Sequence, residues 1–149
     1  MARPTQVDPR GLRVAAAITT VVLALVLVMP SPVSIGLLIA QTVVFAIGAL
    51  VSLNASPYSI AFARIVRPRI GPPAELEDAR PPRFAQAVGL GFAVLALLGF
   101  GLGAPAFGYV AVALALVAAL LNASIGLCLG CEMYLAWHRL RPTKLTTQV

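Results

Sequence analysis

Residues 14–53 read VAAAITTVVLALVLVMPSPVSIGLLIAQTVVFAIGALVSL, a run that contains no charged side chain. A helix that crosses the ~30 Å hydrocarbon core of a bilayer needs about 20 predominantly apolar residues. The run is long enough for two such helices, and Pro30 and Pro32 interrupt it near the middle. The stretch therefore predicts two membrane spans, over residues 14–29 and 33–53, joined by a tight turn.

A second pair of apolar runs follows a polar segment. Residues 84–102 and 106–127 lack lysine and arginine, and a short Gly-Ala-Pro connection separates them. The chain of 149 residues is 60% hydrophobic and only 11% charged, whereas soluble domains are about 45–50% apolar and about 25% charged. We therefore expect a single membrane domain over residues 1–149, an all-α four-helix bundle made of two antiparallel hairpins. The hairpins show no obvious repeat of sequence.

The basic residues decide the expected orientation. All eleven lysines and arginines lie in the N-terminal tail, in the loop between spans two and three, or in the C-terminal tail. An even number of spans puts these regions on one side, which the positive-inside rule identifies as the cytoplasm. We therefore expect a multi-pass protein of the cell (inner) membrane with both termini cytoplasmic. The net charge of +6 could also indicate nucleic acid. However, the basic residues flank apolar spans, so the lipid bilayer is the expected partner and nucleic acid is not.

The cytoplasmic loop over residues 54–83 contains two kinds of sequence. Residues 57–66 mix apolar side chains with arginine, which is typical of a short interfacial helix lying on lipid headgroups. Proline-rich segments follow, around an acidic group of Glu75, Glu77 and Asp78. The loop is either a headgroup-binding segment or a docking surface for a cytoplasmic partner, and the sequence leaves both interpretations open.

Three amide side chains are embedded in the apolar spans: Gln41, Gln86 and Asn122. We expect them to hydrogen-bond between helices or, alternatively, to line a polar site. Small residues also recur at four-residue spacing within the spans, a pattern that lets membrane helices approach closely. This pattern favours a compact bundle and leaves a homodimer open.

The chain has two cysteines, Cys128 and Cys131, which lie in the sequence SIGLCLGCEMY at the end of the fourth apolar run. A helix that starts near Ala106 and rises about 1.5 Å per residue crosses the ~30 Å hydrocarbon core before it reaches them. We therefore expect both thiols at the cytoplasmic interface. They begin an amphipathic C-terminal extension over residues 128–141.

Four interpretations of this C-x-x-C pair are open. The cysteines could pack as small apolar residues, bind zinc or an iron–sulfur cluster in a dimer, carry out dithiol redox chemistry, or transfer sulfur through a persulfide. One chain cannot supply a zinc site, which needs four ligands, because His138 lies about 10 Å beyond Cys131 along a helix. No cofactor is expected, since covalent haem attachment needs a histidine where the chain has Glu132.

Redox chemistry requires either a break in the helix near the pair or positive charge folded over it. In a continuous helix the β-carbons of residues three apart are about 5–6 Å apart, whereas a disulfide needs about 3.8 Å. The C-terminal end of a helix also disfavours a thiolate. A break at Gly126 and Gly130, with a second helix starting near Cys131, would remove both objections. Arginines folded over the pair would supply an alternative source of positive charge.

Under the redox interpretation each neighbouring residue has a role. Cys128 is the attacking nucleophile, and Cys131 is the resolving thiol. Glu132 is the nearest proton acceptor, and Arg80 and Arg83 are charge partners. The alternative is a non-catalytic membrane scaffold or small-solute carrier subunit, in which the cysteines are structural or bind metal in a dimer.

Three segments, VDPRGLRVAAAI, PPRFAQAVG and LNASIGLCLGCEMY, resemble a family of small bacterial (actinobacterial) four-span membrane proteins catalogued as a domain of unknown function. The shared patterns are Asp-Pro-Arg before span one, Pro-Arg-Phe-Ala-Gln before span three, and Gly-x-Cys-x-Gly-Cys-Glu after span four. The resemblance implies a link to thiol or sulfur metabolism, with thioredoxin-like or rhodanese-like cytoplasmic partners. We therefore expect a membrane thiol–disulfide redox or sulfur-relay component; in the redox case it would be a membrane thiol oxidoreductase.

Overall fold

The computed structural model describes residues 6–141, which are predominantly helical. The helices are α1 (Pro9–Val28), α2 (Val33–Ala46), α3 (Pro57–Ala61), α4 (Arg67–Ile70), α5 (Arg80–Gly101), α6 (Pro105–Ile125) and α7 (Leu129–Leu140). A π-helical turn, Ile47–Val51, extends α2. The helices α1, extended α2, α5 and α6 are each long and apolar enough to cross a membrane. The expected all-α membrane bundle is confirmed.

The four long helices form a closed ring in which each packs against two neighbours. One hairpin is α1 with α2, the other is α5 with α6, and the hairpins meet through α1 against α6 and α2 against α5. The centre of the ring contains Leu23, Val26, Leu38, Ala96 and Val112, each at most 1% exposed. Many large apolar side chains face outward instead. A bilayer covers such a surface, which would be unfavourable in water.

An aspartate near the start of α1 and another near the start of α5 each bind the arginine two residues further on. Asp8 accepts hydrogen bonds from the backbone N–H of Arg10 at 2.9 Å and from its Nε at 3.1 Å. Asp78 accepts the same two bonds from Arg80, at the same distances. In both cases the arginine hydrogen bonds hold the pKa of the aspartate carboxyl below its usual value. Both carboxylates are therefore ionised at neutral pH, which complements the positive end of a helix dipole.

Short helices lie between the two hairpins, where the sequence predicts an interfacial helix. A 3₁₀ turn, Leu53–Ala55, leads into α3, a π-helical turn, Phe62–Val66, and α4. This segment packs on α1. The ring of Phe62 lies so close to Gly11 that a Cβ at Gly11 would be only 3.0 Å from it. The absence of a side chain at Gly11 lets the interfacial segment lie directly on the start of the first span.

Two short strands join the beginnings of the two hairpins. β1 (Gln6–Val7) pairs antiparallel with β2 (Glu77–Asp78). Two of the three residues of the acidic group therefore take part in a backbone pairing. Two-residue strands carry no periodic pattern that sequence analysis could detect. Their pairing holds the N-terminal ends of α1 and α5 close to each other.

The two halves of the chain share a repeat that their apolar spans conceal. In each half a motif D-x-R-x-x-R begins a hairpin, the sequence LNAS lies at the end of its second span or directly after it, and an amphipathic segment ends the half. The matching segments are residues 8–13 and 78–83 for D-x-R-x-x-R, 53–56 and 121–124 for LNAS, and 60–65 (IAFARI) and 135–140 (LAWHRL) for the amphipathic segment. Because both hairpins start at the same end of the ring, the halves face the same way across the membrane.

The close approach of α5 and α6 gives a test of the bundle. A Cβ at Gly99 would lie 2.9 Å from the backbone N of Gly108, whereas a Cβ at Gly91, also in α5, would meet nothing within 4 Å. We expect Gly99→Ala to destabilise the protein by about 1–3 kcal/mol, because overpacking forces the helices apart. Gly91→Ala is the matched control and should not lower the thermal unfolding midpoint in detergent micelles. Equal midpoints for the two variants would contradict this packing.

Candidate functional site

The fourth span ends in a hydrogen-bonded cap just before the cysteines. Gly126 adopts a left-handed conformation with φ +73°. Its backbone N–H donates to the carbonyl of Asn122 at 3.1 Å, and the N–H of Leu127 donates to the carbonyl of Leu121 at 3.3 Å. The bond from Gly126 to Asn122 is that of the αL cap, a motif in which glycine is favoured at helix ends. A break in the helix, one of the two arrangements that would permit redox chemistry, is therefore present at Gly126.

The cysteines begin the next helix. Cys128 has an extended backbone and is the N-cap of α7, and Cys131 lies in the first turn. A disulfide joins the two residues, whose Cα atoms are 5.2 Å apart. The Sγ of Cys128 also accepts a hydrogen bond from the backbone N–H of Cys131 at 3.2 Å. The pair thus lies at the N-terminal end of a helix, where a negative charge is stabilised, and not at the C-terminal end of a span.

The disulfide lies at the arginine-rich end of the bundle. Within residues 6–141 every arginine is in the first turns of α1 or α5, in the segment between the hairpins, or in α7 and the residue after it. The 21 residues of α6 rise about 30 Å, which is the full depth of the hydrocarbon core. Cys128 and Cys131 follow that helix and are both partly exposed.

The second half of the chain differs from the first in the connection that contains the cysteines. Between LNAS and the amphipathic segment the first half has only residues 57–59, whereas the second half has residues 125–134. Ser56 is the N-cap of α3, as Cys128 is the N-cap of α7. The first half therefore makes the same transition from span to interfacial helix without a cysteine.

Arg13 is the arginine nearest to this break, and sequence reasoning missed it. Its guanidinium donates to the carbonyls of Ala123 at 3.3 Å and Ser124 at 3.2 Å, in the last turn of α6. Arg83, its counterpart in the repeat, donates in the same way to the carbonyls of Ala49 at 2.8 Å and Leu50 at 3.3 Å. Each half thus caps the last turn of the other half. The matching positions in D-x-R-x-x-R are the signal that could have identified Arg13.

The two arginines expected as charge partners are engaged away from the sulfur atoms. The guanidinium of Arg80 forms an ion pair with Asp78, with Nη2 2.6 Å from the carboxylate. Arg83 binds the carbonyls at the end of α2. Glu132 does lie beside the pair, exposed in the first turn of α7. Of the three expected neighbours, the structure therefore brings only Glu132 to the cysteines.

The structure places His138 away from the disulfide. Its ring lies against that of Tyr134, with centroids 4.3 Å apart. Within residues 6–141 no three His, Cys, Asp or Glu side chains come together in a way that could hold a metal ion. A metal site built from the cysteines would therefore need ligands from outside the part of this chain that the structure describes.

Helix α7 is held against the start of α5 by a very close contact. A Cβ at Gly130 would lie 2.6 Å from both Cα and Cβ of Ala85. One turn further on, the ring of Tyr134 packs on Phe84 with centroids 5.7 Å apart. Gly130, which lies between the cysteines, therefore fixes their position on the bundle.

The three amides embedded in the spans have different environments. Gln41 is fully buried, donates to the hydroxyl of Thr19 at 3.3 Å and accepts from the hydroxyl of Tyr58 at 2.7 Å. It therefore links α2 to α1 and to the interfacial segment. Gln86 packs against the backbone at Gly48, and Asn122 lies in the last turn of α6 beside the cap.

Arg13 gives a test of how the cysteine segment is held. We expect Arg13→Met to speed reduction of the disulfide by dithiothreitol about tenfold, since a hydrogen bond from a charged group contributes about 1.5–3 kcal/mol. The loss would loosen the end of α6 and the residues that follow it. Arg83→Met removes the equivalent bonds in the other half of the chain, at the end of the extended α2. It should leave the reduction rate unchanged. Equal acceleration by both variants would show a general loss of stability instead.

Comparison with known proteins identifies the family of the chain. The sequence pattern of the family described as "Domain of unknown function (DUF4395)" matches residues 7–139. That range includes both D-x-R-x-x-R motifs, all four spans and the disulfide. A comparison with curated proteins finds no match, and neither does a comparison with solved structures. Since the match covers most of the chain, the protein belongs to the DUF4395 family, whose function is unknown.

Proposed function

We propose that the protein is a membrane thiol–disulfide exchange component whose reactive group is the Cys128–Cys131 pair. The observation that carries this proposal is the difference between the two halves. The first half joins its hairpin to its interfacial helix without cysteine, so the fold does not need the pair. A segment that is added to only one half, and that contains both cysteines, favours a role in chemistry over a role in packing.

The position of Cys128 supports its role as the attacking thiol. When the disulfide is reduced, the N-terminal end of α7 and the backbone N–H of Cys131, now 3.2 Å from Sγ, favour the thiolate form. Cysteines at helix N-termini are reactive in thiol–disulfide chemistry for this reason. Cys131 is the resolving thiol, and the exposed carboxylate of Glu132 accepts its proton.

The exchange reaction balances without a cofactor. The Cys128 thiolate attacks a partner disulfide, forms a mixed disulfide and releases one partner thiolate. The Cys131 thiolate then attacks Cys128 Sγ, which closes the intramolecular disulfide and releases the second partner thiol. Two electrons pass from the protein to the partner, and the same steps in reverse reduce the protein.

The proposed partner is a water-soluble thioredoxin-like or rhodanese-like protein on the cytoplasmic side. The arginines at this end of the bundle support that orientation through the positive-inside rule. Partial exposure of both cysteines allows such a protein to reach them. The intramolecular disulfide favours thiol exchange over a persulfide relay. In thiol exchange the oxidised form of the protein is the disulfide between Cys128 and Cys131, whereas a persulfide relay does not need that bond.

The experiment is a redox titration of the purified protein in glutathione buffers, followed by a maleimide that adds mass to free thiols. We expect one transition in which both cysteines change together, at a midpoint of roughly −180 to −270 mV, the range of exchanging dithiol proteins. Cys128→Ser and Cys131→Ser should each abolish the transition. A scaffold or solute carrier would show no transition in this range. A pair that stays oxidised throughout would contradict the proposal in favour of a structural disulfide.

A further inference from the structure

A cavity of about 330 Å³ lies inside the arginine-rich half of the bundle. Ligand pockets have volumes of about 300–1,000 Å³ and mostly apolar walls with a few polar groups. This cavity has that character. All four spans and the first turn of α7 contribute to its wall, which includes the apolar residues Ala16, Phe45, Phe92, Ala115 and Ala118.

Polar groups and one half of the disulfide complete the wall. The side chains of Gln86 and Asn122 each carry an amide that can donate a hydrogen bond, and Thr19 carries a hydroxyl; all three residues line the cavity. Cys128 lines it as well. The disulfide therefore borders the cavity on one side, while both cysteines remain partly exposed at the end of the bundle.

The cavity reaches the lipid-facing surface. Leu114, Leu129 and Met133 line it and are 53%, 38% and 55% exposed. Leu114 lies in the middle of α6, so the exposed part of its side chain faces the bilayer. A folded thiol protein is too large to enter, whereas a small molecule dissolved in the membrane can.

We propose that this cavity binds the ring of a lipid-soluble quinone, which oxidises the reduced Cys128–Cys131 pair. A dithiol gives up two electrons and two protons when it forms a disulfide, and a quinone takes up two of each. A quinone ring also matches the wall, because its body is apolar and its two carbonyl oxygens accept hydrogen bonds from amides such as those of Gln86 and Asn122.

Two S–H bonds break, at Cys128 and Cys131, and one S–S bond forms between them. The two electrons and two protons pass to the carbonyl oxygens of the quinone, which leaves as the quinol. This inference rests on the proposed function and adds an electron acceptor of stated class, so that the protein would pass electrons from a cytoplasmic dithiol to the membrane.

The test uses decylubiquinone, whose fully substituted ring does not add thiols, and protein reduced in lipid nanodiscs. We expect the wild-type protein to form one quinol for each disulfide. Ala118→Phe fills the cavity and should slow quinol formation at least about tenfold, a loss of about 1.4 kcal/mol. Its disulfide exchange with a soluble dithiol, measured on the same sample, should stay unchanged and shows that the variant is folded.

The control is Val117→Phe, on the neighbouring position of the same helix, which is 52% exposed to lipid. It should reduce the quinone at the wild-type rate. If Ala118→Phe and Val117→Phe behave alike, or if the wild-type protein forms no quinol, the quinone proposal is overturned while thiol exchange stands. If the wild-type protein exchanges no thiols either, the proposed function fails first. Should Ala118→Phe not fold, Ala118→Val and Gln86→Leu provide the same comparison with smaller changes.

Discussion

Replacing Cys131 by serine is expected to convert the protein into a trap for its partner. Cys128 would still attack a disulfide, but no resolving thiol would remain to release the mixed disulfide. With an oxidised thioredoxin-like protein as the probe, we expect most of the Cys131→Ser protein to appear as a covalent complex on a non-reducing gel. Dithiothreitol should dissociate that complex.

Cys128→Ser is the matched variant and should form little or no complex. Its remaining thiol, Cys131, is in the first turn of α7 and lacks the N-cap position that favours the thiolate at Cys128. We expect the yield of complex to differ at least about tenfold between the variants, in proportion to thiolate content and access. Equal trapping by both would contradict the assigned roles, and trapping by neither would contradict thiol exchange with this class of partner.

Adding a single methyl group at Gly130 is expected to release α7 from the bundle. The new Cβ would lie 2.6 Å from both Cα and Cβ of Ala85, so one helix must move away from the other. We expect a loss of about 3 kcal/mol or more in the docking of α7, the upper part of the usual range for overpacking. That corresponds to a change of roughly two orders of magnitude in the docked-to-released ratio.

The chain provides its own reporter for this change. Trp137, the only tryptophan, lies in α7, so its fluorescence follows the release of that helix on heating. Gly130→Ala should lower the midpoint of this transition sharply. Ala136→Leu adds more bulk at an exposed position of the same helix and should not. Ala85→Gly combined with Gly130→Ala should restore part of the loss, because the backbone of Ala85 stays in contact. A normal midpoint for Gly130→Ala alone would contradict the close contact.

The membrane architecture could be predicted from the sequence because hydropathy and charge act independently of tertiary detail. An uncharged run from Val14 to Leu53 has few alternatives to a hairpin of spans. The predicted depth of the cysteines in the membrane also follows from the rise of a helix per residue and the thickness of the hydrocarbon core. Hydropathy, charge placement and helix length are properties of the linear sequence and can be read without knowledge of the tertiary structure.

The local structure at the cysteines could not be predicted in the same way. Gly126 permits both a continuing helix and a left-handed cap, and the choice depends on contacts made far along the chain. One of those contacts is the guanidinium of Arg13, which reaches the carbonyls of Ala123 and Ser124 from the other hairpin. No spacing rule connects residues so far apart in the sequence.

The internal repeat was hidden for a different physical reason. Leucine, valine, alanine and isoleucine are nearly interchangeable on a lipid-facing helix, so the spans of the two halves can fill the same role without resembling each other. The parts that resemble each other lie at the ends, where Asp8 and Asp78 bind the arginine two residues further on and where Arg13 and Arg83 bind carbonyl groups. A specific hydrogen bond at these ends needs a particular side chain, whereas burial in a span needs only a hydrophobic one.

The most direct test of the central claim is labelling of the cysteine pair from each side of the membrane. Inverted and right-side-out vesicles would be treated with a membrane-impermeant phosphine reductant and then with an impermeant maleimide that adds mass. We expect both cysteines to be labelled in inverted vesicles, only after reduction, and to be protected in right-side-out vesicles. Labelling from the outer face, or a disulfide that resists the reductant until detergent unfolds the protein, would contradict a reversible thiol couple at the cytoplasmic surface.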